Sequence, residues 1–200
     1  MSVRSAKQRQ IRGFNFTAQM RNLCADMVAR LPDLAHIDLD RVAITFTQAR
    51  NRHGHGIQAT TTPMRFEHGS LTTRRRGREY TVQRLYDENG VEILYIISFY
   101  LPRFQNHSLQ EKVATIVHEL WHISPHFDGD LRRFHGRCYA HGGRQSSYDR
   151  QVDAIADRWW KLTPSPALYE FLRFSFRELE QKFGGVYGTK IPHPKLLPVT

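Results

Sequence analysis

Between His118 and Asp130 the chain reads HELWHISPHFDGD, three histidines, one glutamate and two aspartates within thirteen residues. His118 and His122 stand four apart, so on a helix they fall on one side, one turn from each other. Two imidazoles in that relation can both reach one Zn²⁺ at about 2 Å, and Glu119 is rotated so that it addresses a water on the metal without binding the metal itself. This is the HExxH pattern. In a chain with eleven histidines and nine glutamates, shuffling would produce it in roughly three of a hundred sequences, so its surroundings have to support it.

They do. Ser108 and Glu111 form a capping box that predicts a helix running through Ile123, with Pro125 soon after its end. On that helix Val113, Ile116, Val117, Leu120 and Trp121 gather on a face apart from the two histidines, which gives one face to the core and another to a site. Before it, RVAITFTQAR, IQATTTPMRFEHG, REYTVQRLYD and VEILYIISFY read as strands of a meandering sheet. A first helix runs from Thr17, a suitable N-cap, to Pro32. A third is marked by Tyr148, Val152, Ile155, Trp159 and Leu162, and a fourth runs from Ser165 and Pro166 to Gly184. The expected fold is a single α+β domain over 1–200, a compact zincin-like arrangement. In it a small, mostly antiparallel sheet packs on the HExxH helix and further helices. Residues 1–14 form a basic arm and 186–200 an extended tail.

Composition narrows the setting. No run is long and apolar enough to suggest a membrane span, no leader pattern stands at the start, and Cys24 and Cys138 form no paired motif. A soluble, cytoplasmic protein is expected. Lysine and arginine outnumber the acidic residues by 29 to 19, for a net charge of +10. Arg74, Arg75, Arg76 and Arg78 cluster in TTRRRGREY, with Arg50, Arg52, His53 and His55 in another basic turn. Weak, sequence-indifferent contact with nucleic acid is therefore conceivable.

The order of elements is similar to compact zincin metallopeptidases, including the SprT-like group and the minigluzincins. More closely, HELWHISPHFDGDLRRFHGRCYAHGG resembles a phage and bacterial metallopeptidase family with an HELWHI-type motif, an FDGD-RR segment and a downstream His-Gly. That resemblance covers about 118–150 and implies zinc-dependent peptide hydrolysis on a protein or peptide substrate, with Glu119 as general base. The third metal ligand is open among His126, His135, His141 and Asp153. The closer resemblance points to His141 and the SprT-like one to His135, while Asp149, Asp153 and Asp157 form a stripe typical of a solvated helix face. Asp128 and Asp130 are candidates to orient a ligand histidine or simply to build a turn. Tyr139 and Tyr148 are candidates to stabilise an oxyanion. Arg132 and Arg133 could pair with the aspartates or reach substrate. ILYIISFYLPRF, just before the active helix, is expected to be the edge strand that pairs with extended substrate. Two alternatives stand beside the peptidase: a SprT-like protease acting on DNA-bound protein, and an inactive zincin-fold interaction module.

Overall fold

The computed structural model describes residues 13–49, 56–133 and 145–199. In chain order the elements are β1 (Phe14–Asn15), α1 (Phe16–Arg30), β2 (Val42–Gln48), β3 (Ala59–Pro63), β4 (Thr72–Arg75), β5 (Arg78–Val82) and β6 (Tyr95–Leu101). They continue with α2 (Leu109–Trp121), α3 (Gln145–Lys161), α4 (Pro166–Tyr169), α5 (Phe176–Phe183), β7 (Val186–Tyr187) and β8 (Leu196–Pro198). The class is α+β, as expected.

The strands form three small sheets and not one meander. At the centre β6 lies between β2, to which it is parallel, and β3, to which it is antiparallel. This corrects the expectation for β6: it is the middle strand of its sheet, and the strand beside α2 is β3. The cause is burial on both faces. Tyr95, Ile97, Phe99 and Leu101 point into the main core, while Ile96 joins Met64 and Ile93 in a small cluster behind the sheet. A strand that is apolar on both sides belongs in a sheet interior. β3 (ATTTP) is half-buried along most of its length, as an edge tolerates.

The main core is made by helices on one face of that sheet. α1 contributes Phe16, Met20, Leu23 and Met27, α2 contributes Val113, Ile116, Val117 and Leu120, and α3 contributes Val152, Ile155 and Trp159. α1 begins two residues before the expected start, capped by Asn15 and not Thr17; the Asn15 side chain accepts from the Ala18 N–H. Thr17 instead accepts the N–H of Thr189 through its hydroxyl. The expected fourth helix is split. Ser175 is in extended geometry and forms its own capping box with Glu178, which restarts the chain as α5. The C-terminal residues are extended and tied down: Ile191 donates to the Thr45 hydroxyl, and β8 adds a third strand to the β4–β5 hairpin.

α2 is anchored at its start, which fixes the direction in which its far end points. Ser108 and Glu111 form the capping box. The buried Lys112 ammonium donates to the carbonyls of Gln105 (2.7 Å) and Phe174 (3.3 Å), and burial pulls its pKa down to about 8. Thr115 bonds the Gln58 side chain at 3.0 Å, which draws the chain leading into β3 onto the helix.

Behind the sheet, Glu92 gathers the guanidinium groups of Arg84 and Arg65 at 2.6 Å each. Arg84, then Arg65, hold the Glu92 carboxyl down at about pKa 2, against an ordinary value of 4.5. The folded-state value lies below the unfolded one, so this stabilisation is complete above about pH 4.5 and is lost as pH falls toward 2. After allowance for solvent screening it is on the order of 2 kcal/mol. Glu92→Gln is therefore expected to be less stable than the parent chain at pH 7, with the gap narrowing below pH 4, as read from urea unfolding at each pH.

Candidate metal centre

α2 ends at the motif and not beyond it. Trp121 is its last helical residue and His122 its C-cap, so the HExxH pattern occupies the final turn. The early stop is made by the loop that follows. Ile123 bridges Leu131, Ser124 N–H donates to Asp130 O, and Arg132 N–H donates to His122 O at 2.7 Å. The chain leaves the helix, turns within eight residues and comes back against the helix end. Gly129 makes the turn possible: at φ +87° a Cβ would stand 2.5 Å from Arg65 Cγ.

Asp130 holds this loop closed. Its buried carboxylate accepts from the backbone of His68 (3.0 Å) and Leu131 (2.8 Å) and from Arg133 Nε (2.7 Å). Its carbonyl accepts from the Tyr95 hydroxyl. Asp128 accepts the Asp130 N–H, a turn-forming bond. Both aspartates thus build the turn, and His126 stands exposed on it.

The two motif histidines converge, with His118 Nε2 and His122 Nε2 2.9 Å apart and their rings edge to face. Tyr148, on the first turns of α3, packs its ring on both imidazoles. Its hydroxyl lies 3.2 Å from His122 Nδ1 and 3.5 Å from the His118 carbonyl. In the tautomer that carries its proton on Nδ1, His122 would donate to the Tyr148 hydroxyl and turn an Nε2 lone pair toward His118. Burial pushes the Tyr148 phenol well above its ordinary pKa, so it stays neutral.

Glu119 is bonded to β3, and its charge also acts on Tyr148 at the histidine pair. The Thr61 hydroxyl lies 2.8 Å from both the Glu119 carbonyl and Glu119 Oε2. Burial pushes the Glu119 carboxyl up to about 7, against the weaker downward pull of Thr61. Thr61 escaped the sequence reading, because a threonine in a threonine run carries no local mark of its partner. The outer edge of β3 is also defined. Tyr100 N–H donates to Gln58 O and Met64 N–H to Leu94 O, so in this antiparallel register the peptide groups of Ala59, Thr61 and Pro63 face away from β6. Among the described residues no other strand pairs with that edge.

Two imidazole nitrogens 2.9 Å apart, with an outer nitrogen near the Tyr148 hydroxyl, are a donor pair that suits a borderline-soft divalent cation such as zinc. Among the described residues no group of three His, Cys, Asp or Glu side chains converges. His135, Tyr139 and His141 lie outside the described residues, as do Arg50, Arg52, His53 and His55. Both flanks of the interval 134–144 are nevertheless fixed at His122, by the Arg132 N–H on one side and the Tyr148 hydroxyl on the other. Asp149, Asp153 and Asp157 are exposed along α3, a solvated stripe. Arg74, Arg75, Arg76 and Arg78 are exposed around the β4–β5 turn. No helix among the described residues is long and apolar enough to cross a membrane.

A family model described as "Putative phage metallopeptidase" matches residues 17–161. That span holds α1, the central sheet, α2 and α3. No curated protein and no solved structure matches the chain.

Thr61→Val keeps the shape of the side chain and removes the donor from the Glu119 carboxyl. It is expected to cost about 1–3 kcal/mol in denaturant unfolding, the usual penalty for stranding a buried polar group. Thr61→Ser, which retains the hydroxyl, is expected to recover most of that loss.

Proposed function

The chain belongs to this phage metallopeptidase family, and from that premise we propose that it hydrolyses peptide bonds with a zinc ion held by His118, His122 and a histidine of the interval 134–144. The observation that carries this reading is the convergence of His118 and His122 at 2.9 Å beside the buried Glu119 carboxyl. His141, to which the closer family resemblance points, is the proposed third ligand, and His135, to which the SprT-like resemblance points, is its alternative.

When bound, zinc supplies a water acidified to near neutrality and polarises the carbonyl to be attacked. Glu119 takes the proton from the attacking water and returns it to the departing amine. A carboxyl with a pKa raised toward neutrality is suited to both transfers, since it neither holds its proton too tightly nor gives it up too readily. Thr61 fixes the carboxyl that does this, and Tyr148 fixes the His122 ring. The free edge of β3 offers the N–H and C=O of Thr61 to an extended peptide, so substrate and base are aligned by one residue. The substrate edge is thus assigned to β3 and not to β6.

Protein purified without chelator is expected to hold about one equivalent of zinc. His118→Ala combined with His122→Ala is expected to abolish it, and Glu119→Gln to keep the metal and lose cleavage of a peptide library. His141→Ala is expected to lower zinc content severely and His135→Ala to leave it nearly unchanged, with the reverse pattern moving the third-ligand role to His135. Zinc retained in the double histidine variant, or turnover retained by Glu119→Gln, contradicts the assignment.

A further inference from the structure

We propose that Arg132 and Trp121 form, beside His36, a carboxylate-binding subsite at the end of α2, which takes a carboxylate carried by the peptide substrate. The proposal deepens the peptidase reading and rests on it for the identity of the ligand, but not for the existence of the site.

The two arginines that follow the FDGD turn are used in opposite ways. Arg133 is neutralised, bonded to Asp130 at 2.7 Å and to Glu67 at 3.2 Å. Arg132 has no ion pair among the described residues. Its guanidinium lies on the Trp121 ring, with Cζ 3.6 Å from the centroid, and its Nε donates to the Trp121 carbonyl at 2.7 Å. Among the described residues its Nη2 is buried without a partner, and so are Trp121 Nε1 and His36 Nε2. His36 joins the same corner: it hydrogen-bonds the Ile123 backbone, and burial and then the charge of Arg132 lower its pKa. Asp33 is near enough to act on Arg132, but its carboxylate is bound to Arg158 at 2.6 Å.

Buried polar atoms are nearly always satisfied, so two unsatisfied donors, Arg132 Nη2 and Trp121 Nε1, at one uncompensated cation call for a missing acceptor that is itself negative. A guanidinium already bonded through Nε and stacked on an indole presents its remaining N–H groups in a fixed fork, which matches the two oxygens of a carboxylate. Trp121 Nε1–H is a further donor. Position ties the corner to the site. Trp121 follows His118 by three residues on α2, which makes them neighbours about 5–6 Å apart at Cβ, and the Arg132 N–H is bonded to the His122 carbonyl. A carboxylate seated here lies close to a peptide bond placed at the histidine pair.

The test uses the full chain labelled with ¹⁵N, in which Trp121, Trp159 and Trp160 are the three indoles. Sodium acetate is titrated against sodium chloride at matched ionic strength. A saturable shift of the Trp121 indole peak with acetate and not with chloride is expected, weakened about tenfold or more in Arg132→Gln. The Trp159 peak, whose indole is bonded to Asp26 at 2.8 Å, reports that the variant is folded. Should Arg132→Gln fail to fold, Arg132→Lys keeps the charge without the fork and is expected to bind acetate more weakly than the parent. N-acetylated peptides with a free or amidated C-terminus, and amidated peptides with glutamate or glutamine inside, then assign the carboxylate to the chain end or to an acidic side chain. Absence of an acetate-specific shift, or a shift unchanged in the folded Arg132 variants, overturns the proposal. The readout needs neither metal nor turnover, so failure of the peptidase reading would be seen separately.

Discussion

The hydroxyl of Thr61 ties the sheet to the last turn of α2. It stands 2.8 Å from the carbonyl and from the carboxyl of Glu119, and Glu119 lies between two histidines in sequence and a sheet edge in space. The bond has to form because the alternative is a carboxyl buried with nothing to donate to it. Once it forms, the height of β3 above α2 is set and Glu119 is held in one position. Tyr148 of α3 meets His118 and His122 and feels the charge of Glu119 as well. The site is thus made by two contacts across one helix, one from the sheet and one from the next helix.

A second constraint acts along the chain. α2 must stop at His122, because a longer helix would carry Ile123 past Leu131 and break the bridge that brings the chain back. The stop is enforced from outside the helix. Gly129 sits on the aliphatic part of Arg65, Arg65 is held by Glu92, and Asp130 fastens the backbone of His68 to Arg133. A turn that reads as loop chemistry in the sequence is therefore the device that aims residues 132 and 133 at the helix end.

Local patterns made part of this legible in the sequence. The i, i+4 spacing of the histidines, the capping box at Ser108 and the apolar face of α2 are properties of a few adjacent residues, and each is present in the fold. Strand order is not local, and β6 was misplaced at an edge for that reason. The continuous apolar run YIISFYL was the available sign of a strand buried on both faces, and the polar ATTTP was the sign of the edge. The split before α5 also had a sign, the capping pair Ser175 and Glu178, overlooked beside the stronger signal of Ser165 and Pro166. By contrast, nothing in LRR distinguishes an arginine bonded to two carboxylates from one bonded to none. Only the return of the chain separates Arg133 from Arg132.

In the proposed function His118 and His122 share one metal ion through their Nε2 atoms, with Glu119 beside it and not bound to it. Anomalous diffraction at the zinc edge, on crystals of protein purified without chelator, measures this directly. The account requires one peak about 2.0–2.1 Å from both Nε2 atoms, with the Glu119 carboxyl outside bonding distance. No peak at the pair, or a peak bound by Glu119 in place of either histidine, would contradict it.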